Sequence, residues 1–155
     1  ILALGGSPPS RLDAVGVPVL SRTEDIANAR LVFPSGCVAN LTASRVSDES
    51  IRRIRIFQKD RYLSIDYKAQ TVDLARKVGA RIHRQHLMVN RRPPLQDELA
   101  AFLHAVRTAQ RPLPSVPRRR RSGQAGVSGE DAREALALAL RIEQAMRQVR
   151  VTSAQ

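Results

Sequence analysis

Few side chains in this 155-residue sequence have the type and spacing to do chemistry. His83 and His86 lie three apart in an alternating stretch, which sends them to opposite faces of a strand, whereas a shared metal needs both on one side. His104 falls on the polar side of a helical pattern, and all three read as surface histidines. Glu24 and Asp25 flank a strand start, and no other carboxylate is spaced to make an acid–base pair with them. Turn and edge solvation is their expected role. Cys37 reads as a small buried hydrophobe on a strand rather than a reactive thiol. Arg118–Arg121 is the sharpest basic cluster. A nucleic-acid interface wants a groove-sized patch and stacking aromatics, yet aromatics are 3% here and tryptophan is absent. A solvated loop with salt-dependent attraction for polyanions is the expectation. No Gly-x-Gly-x-x-Gly or phosphate-binding loop occurs; the glycines fall at turns.

The elements that would position these groups are those of one ordinary globular domain, 43% hydrophobic and 26% charged. The net charge of +12, with pI near 11.5, raises nucleic acid as a partner, but the distribution of that charge argues against it. No apolar run reaches the roughly 20 residues of a membrane-spanning helix, so no membrane partner is expected. A single cysteine excludes an internal disulfide and fits a cytoplasmic protein. The chain opens on Ile1-Leu2-Ala3-Leu4 without a methionine, as a fragment or a gene model missing its start would.

Ile1–Leu4 reads as the last turn of a helix closed by Gly5, and Arg11–Leu20 as an extended segment. From Asp25 to Phe33, Ala27, Ala29, Leu31 and Phe33 alternate against Ile26, Asn28, Arg30 and Val32. From Cys37 to Arg45, Cys37, Ala39, Leu41 and Ala43 alternate in the same way. A three-residue turn at Pro34-Ser35-Gly36 pairs Phe33 with Cys37 and brings both apolar sets to one face. A second hairpin, turning at Lys59-Asp60, sets Phe57 opposite Tyr62, Ile56 opposite Leu63, Ile54 opposite Ile65 and Arg53 opposite Asp66. Thr71–Lys77 and Arg81–Asn90 add further strands to a mainly antiparallel sheet.

Two helices follow. After Pro93-Pro94, Leu95, Leu99, Phe102, Leu103 and Val106 recur at amphipathic spacing. Residues 110–126 are a basic loop by composition. Ser128 then caps a final helix over 127–149, with Asp131 in the capping-box position. That helix is apolar around most of its circumference, more than one sheet would cover, and it wants a second partner.

The stretches GVPV (16–19), EDIANARLVFPSGCVANLTASRVS (24–47), IRIFQKDRYLSID (54–66) and VSGEDAREALALALRIEQAM (127–146) together resemble the C-terminal domain of Gfo/Idh/MocA-type oxidoreductases. The resemblance covers nearly the whole chain, and its strand-hairpin part is the more specific. It implies an α+β fold, with a mostly antiparallel sheet carrying helices on one face. Residues 1–155 would form a single substrate-binding and oligomerisation domain. The NAD- or NADP-binding Rossmann domain would lie outside the chain, and hydride would pass between a sugar carbinol carbon and the nicotinamide. The family's Glu-Lys-Pro lysine and helix histidine have no counterpart here, so no catalytic residue carries over and the chain alone is expected to be inactive.

Against that frame, the lightly built alanine face would lie under helices. The opposite face, with Asn28, Arg30, Asn40, Thr42 and Ser44, would be open to a second subunit, or to solvent. Arg45 ends its strand on the helix-facing side, where it either reaches into a cleft to bind a phosphate or carboxylate of a sugar or nucleotide-sugar substrate, or snorkels to water. Ser44 and Arg52 would share such a site. The rival functions are a basic nucleic-acid-binding module using Arg118–Arg121 and a dimerising scaffold without chemistry.

Overall fold

A computed structural model describes residues 1–109 and 127–153. The basic segment 110–126, with Arg118–Arg121, lies outside the described residues. The chain divides into two compact units, residues 1–48 with 127–155 and residues 49–126.

The first unit opens with α1 (Leu2–Gly5), followed by β1 (Arg11–Val17), β2 (Ile26–Val32) and β3 (Val38–Ser44), and ends with α3 (Gly129–Ser153). The three strands form an antiparallel sheet in chain order. The β2–β3 register is the one the alternation predicts, with Ala27 opposite Ala43, Ala29 opposite Leu41 and Leu31 opposite Ala39. The Phe33 amide donates to the Cys37 carbonyl at 2.9 Å, and Gly36 takes φ 81° in the turn. Leu31, Phe33, Ala39 and Leu138 form the core, with Leu2, Leu12, Cys37, Leu41 and Ile142 packed around them. Helices therefore cover one face of this sheet. Cys37 is half-buried against that core, as its apolar role requires.

Small residues set how closely the layers approach. A Cβ on Gly16 would lie 2.9 Å from Met146 Sδ and 2.3 Å from Glu24 Cγ, so β1 meets α3 at a position only glycine fills. A Cβ on Gly5 would fall 2.3 Å from the ring of Phe33, itself only 2% exposed. The left-handed residue that ends α1 is accordingly Gly6, at φ 77°, and not Gly5 as the sequence pattern suggests. Gly5 is needed for packing, one position earlier.

Ser128 and Asp131 form the predicted capping box. The Asp131 amide donates to the Ser128 hydroxyl at 3.1 Å, and the Ser128 amide donates to Asp131 Oδ2 at 3.1 Å. α3 is also more apolar than its buried strip: Leu138 and Met146 are buried, whereas Leu136 and Leu140 are exposed.

The second unit holds β4 (Arg53–Phe57), β5 (Arg61–Asp66), β6 (Thr71–Val78), β7 (Arg81–Leu87) and α2 (Pro94–Ala109). Its four strands form a separate antiparallel meander, so the strands make two sheets rather than one continuous sheet. The β4–β5 register matches the predicted pairing at every position, from Arg53 opposite Asp66 to Phe57 opposite Tyr62. One face of this sheet carries Ile54, Ile56, Leu63, Ile65, Val72 and Leu74, all half-buried. No described residue of the unit is fully buried, and the apolar stripe of α2 is exposed from Leu95 to Val106.

Candidate functional site

The end of the first sheet where Val17, Ile26 and Ser44 align carries an unusual carboxylate. Asp25 is 3% exposed. Its Oδ2 accepts the backbone amides of Val19, Leu20 and Ser21 at 2.8, 2.7 and 2.8 Å, and its Oδ1 accepts the Ser21 hydroxyl at 2.8 Å. Three amides converging on one oxygen hold the carboxyl far below the usual carboxylate range; the Ser21 amide acts most strongly and outweighs desolvation. The loop from Pro18 to Glu24 is thus wrapped around a fixed negative charge. Turn and edge solvation, the role expected of Asp25, is overturned. Its partners are main-chain donors, which must be satisfied when a loop folds onto a sheet.

Arg45 sits against this charge. Its Nε lies 3.5 Å from Asp25 Oδ1, and its backbone amide donates to the Asp25 carbonyl at 3.0 Å. The side chain remains 63% exposed, so the ion pair steers the guanidinium without covering it. The two Nη groups make no hydrogen bond to a described residue and stand available for a bidentate acceptor.

Ser44, the last residue of β3, accepts the Val46 amide at 3.3 Å and the Ser47 hydroxyl at 2.7 Å, which tightens the turn after the strand. Arg52 belongs to the second unit, where its carbonyl accepts the Tyr67 amide at 2.8 Å. Arg45 and Ser44 are therefore neighbours in one unit, while Arg52 belongs to the other.

The open face of the first sheet has the predicted composition. Arg30 stands opposite Asn40 and Asn28 opposite Thr42. Arg30 Nη1 donates to Asn40 Oδ1 at 3.0 Å, and the Thr42 hydroxyl donates to Asn28 Oδ1 at 2.8 Å. With Asp13 and Val15 of β1 these residues line a shallow, open depression of 390 Å³. All four predicted side chains are exposed.

The histidines behave as surface groups. His83 and His86 occupy opposite faces of β7, and His86 Nδ1 lies 2.9 Å from Asp73 Oδ1 across the strand pair. No metal-binding cluster of His, Cys, Asp or Glu occurs among the described residues, and none of the described helices is long and apolar enough to cross a membrane. Among the described residues, the glycines with positive φ, Gly6, Gly36 and Gly79, lie at a helix end and two hairpin turns, not ahead of a phosphate-facing helix.

No family model matches the chain. Over 118 residues, 72% of the chain and 37% of the relative, it is 35% identical to UDP-N-acetylglucosamine 3-dehydrogenase of Acidithiobacillus ferrooxidans. A solved structure of that bacterium's UDP-N-acetylglucosamine 3-dehydrogenase GnnA superposes with a TM-score of 0.76 at 34% identity, covering 93% of this chain and 42% of the other. The aldose-aldose oxidoreductase of Caulobacter crescentus, solved with glycerol, shares the fold at a TM-score of 0.67 and 21% identity, over 95% of this chain and 42% of that one. The chain thus spans about two fifths of the length of the proteins it matches. Over that span, sequence and fold together relate it to the Gfo/Idh/MocA-type oxidoreductases, as its strand and helix motifs imply.

Proposed function

We propose that this chain is the C-terminal, substrate-binding half of an NAD(P)-dependent oxidoreductase that acts on a sugar or nucleotide sugar by hydride transfer. The observation that carries the reading is the likeness to UDP-N-acetylglucosamine 3-dehydrogenase, in sequence and in fold, over nearly the whole of this chain. NAD or NADP would be held by residues outside the chain and would supply the hydride acceptor. The chain's own contribution is to bind and orient substrate.

Arg45 is the residue best suited to that role. Asp25 fixes the position of its Nε, and its exposed Nη pair matches the spacing of two phosphate oxygens. Ser44 offers a hydroxyl beside it, and Arg52 is a separate proposed contact. The face with Asn28, Arg30, Asn40 and Thr42 is a proposed contact with a second subunit.

Calorimetry tests the reading on this chain and on a version extended upstream through its coding sequence, titrated with NAD, NADP and UDP-N-acetylglucosamine. Cofactor binding by the extended protein only, with turnover of the nucleotide sugar, is the expected result. Absence of cofactor binding by both forms would remove the oxidoreductase reading.

A further inference from the structure

The second unit has a strongly basic end that none of the proposed substrate contacts uses. The β4–β5 and β6–β7 turns lie side by side there: the Lys77 amide donates to the Asp60 carbonyl at 2.8 Å, tying the β4–β5 turn to β6 next to the β6–β7 turn at Gly79-Ala80. Lys59, Arg61, Arg76, Lys77, Arg81 and Arg84 surround these tips. Asp60 is the one acid among them, and it pairs with Arg61 at 3.4 Å. Arg76, Lys77, Arg81 and Arg84 make no ion pair with a described residue. Large apolar side chains stand exposed between the cations: Phe57 at 75%, Ile82 at 64% and Val78 at 46%.

The pairing shows how the charges are arrayed. Arg61, Arg76 and Arg81 share one face of the sheet, and Lys77, Arg84, Phe57 and Ile82 share the other. A groove binder would gather its cations on one face, where a strand of nucleic acid could run. These cations instead ring the end of the sheet. A second copy of the same end would oppose like charges. A flat anionic surface meets both sets of cations when the hairpin tips touch it end-on, and the exposed Phe57, Ile82 and Val78 can then enter its apolar boundary.

We propose that the paired hairpin tips of the second unit dock on an anionic lipid bilayer surface, as a peripheral contact requiring no spanning helix. This departs from the sequence expectation of no membrane partner, which rested on the absence of a long apolar run. Long Arg and Lys stems let the cations reach headgroups from either face. Each cation near such a surface strengthens binding roughly fivefold, and salt screens the attraction.

The test is co-sedimentation of the whole chain with vesicles of phosphatidylcholine mixed with phosphatidylglycerol, against vesicles of phosphatidylcholine alone. Binding to the anionic vesicles only, weakening with salt, is expected. The double substitution Lys77→Glu with Arg81→Glu, one on each face, should lower partitioning at least tenfold by the same arithmetic. Phe57→Ser should lower it several-fold while leaving the salt dependence in place. Replacing Arg118–Arg121 by serine should leave most of the binding. Circular dichroism checks each fold, and Lys77→Gln with Arg81→Gln serves if the glutamates disturb it. Equal binding to neutral vesicles, indifference to the Lys77 and Arg81 changes, or loss of binding through Arg118–Arg121 alone would overturn the proposal. So would retention of oligouridine by a chain that leaves vesicles untouched.

Discussion

Arg45 Nε lies 3.5 Å from Oδ1 of Asp25, and the same two residues are joined through the main chain by the Arg45 amide and the Asp25 carbonyl. One carboxylate thereby does two things. It gathers the amides of Val19, Leu20 and Ser21 into a closed loop, and it holds an exposed guanidinium at the end of β3. Neither partner of Asp25 is visible as a motif. The pair sits beyond the last rung of the sheet, where the backbone ladder stops and side chains must finish the pairing.

Asp25→Asn is the direct probe of that arrangement. An amide nitrogen or a neutral oxygen cannot replace a carboxylate that accepts three amides and a hydroxyl, and one of its positions would bring donor against donor. The variant should melt roughly 5–10 °C below the parent in a thermal scan. Amide exchange should speed up at Val19, Leu20 and Ser21 before the core of the sheet is affected. Unchanged exchange at these three amides would show that the loop is held by something else.

The same carboxylate makes stability depend on pH. Asp25 and Asp66 both titrate below the ordinary carboxylate value in the folded chain. For Asp25 the Ser21 amide is the chief cause, and for Asp66 the Ala69 amide followed by the Arg53 side chain. The unfolded state therefore binds protons first. The stabilisation is complete above about pH 4 and is lost progressively as pH falls through the depressed folded values. Melting temperature measured from pH 6 to pH 2 should fall below about pH 4. In Asp25→Asn that fall should shrink, leaving the part due to Asp66.

Much of the strand pairing was legible in the sequence because alternation of period two, combined with a short turn, leaves one register open. Phe33 opposite Cys37 and Arg53 opposite Asp66 both follow from this. The separation of β3 from β4 was not legible, since whether two hairpins share a sheet is decided by contacts far apart in the chain. Asp25 was missed for another reason: its partners are main-chain amides, and nothing in Val19-Leu20-Ser21 distinguishes amides that turn inward. The amphipathic stripe of α2 was clear, whereas its exposure in the fold depends on what packs against it. The pairing of Arg45 was hidden with that of Asp25, although its position on the helix-facing side already marked it as a residue needing an explanation.

Gly16→Ala tests the close approach of β1 to α3. The new methyl would meet Met146 Sδ at 2.9 Å and Glu24 Cγ at 2.3 Å, and Met146 is buried. Either the helix shifts or the strand does, at a cost of about 1–3 kcal/mol in chemical denaturation. Pairing it with Met146→Ala should recover part of that loss, because the smaller side chain opens the space. Failure of the second change to recover anything would place the clash at Glu24 instead.

Arg45 carries the last prediction, on the upstream-extended protein with UDP-N-acetylglucosamine as the titrant. If its Nη pair grips the diphosphate, Arg45→Gln removes two charge-assisted hydrogen bonds and weakens binding roughly 10- to 100-fold. Arg45→Lys keeps the charge but loses the fork, and should fall between the two. Asp25→Asn leaves the guanidinium in place but unanchored, so its binding defect should be smaller and accompanied by the thermal defect above. Titration calorimetry reads the affinities and a melting scan reads the fold. A thermal defect in Arg45→Gln with unaltered nucleotide-sugar affinity would make Arg45 a structural partner of Asp25 alone, and would move the search for the phosphate contact to Ser44 and Arg52.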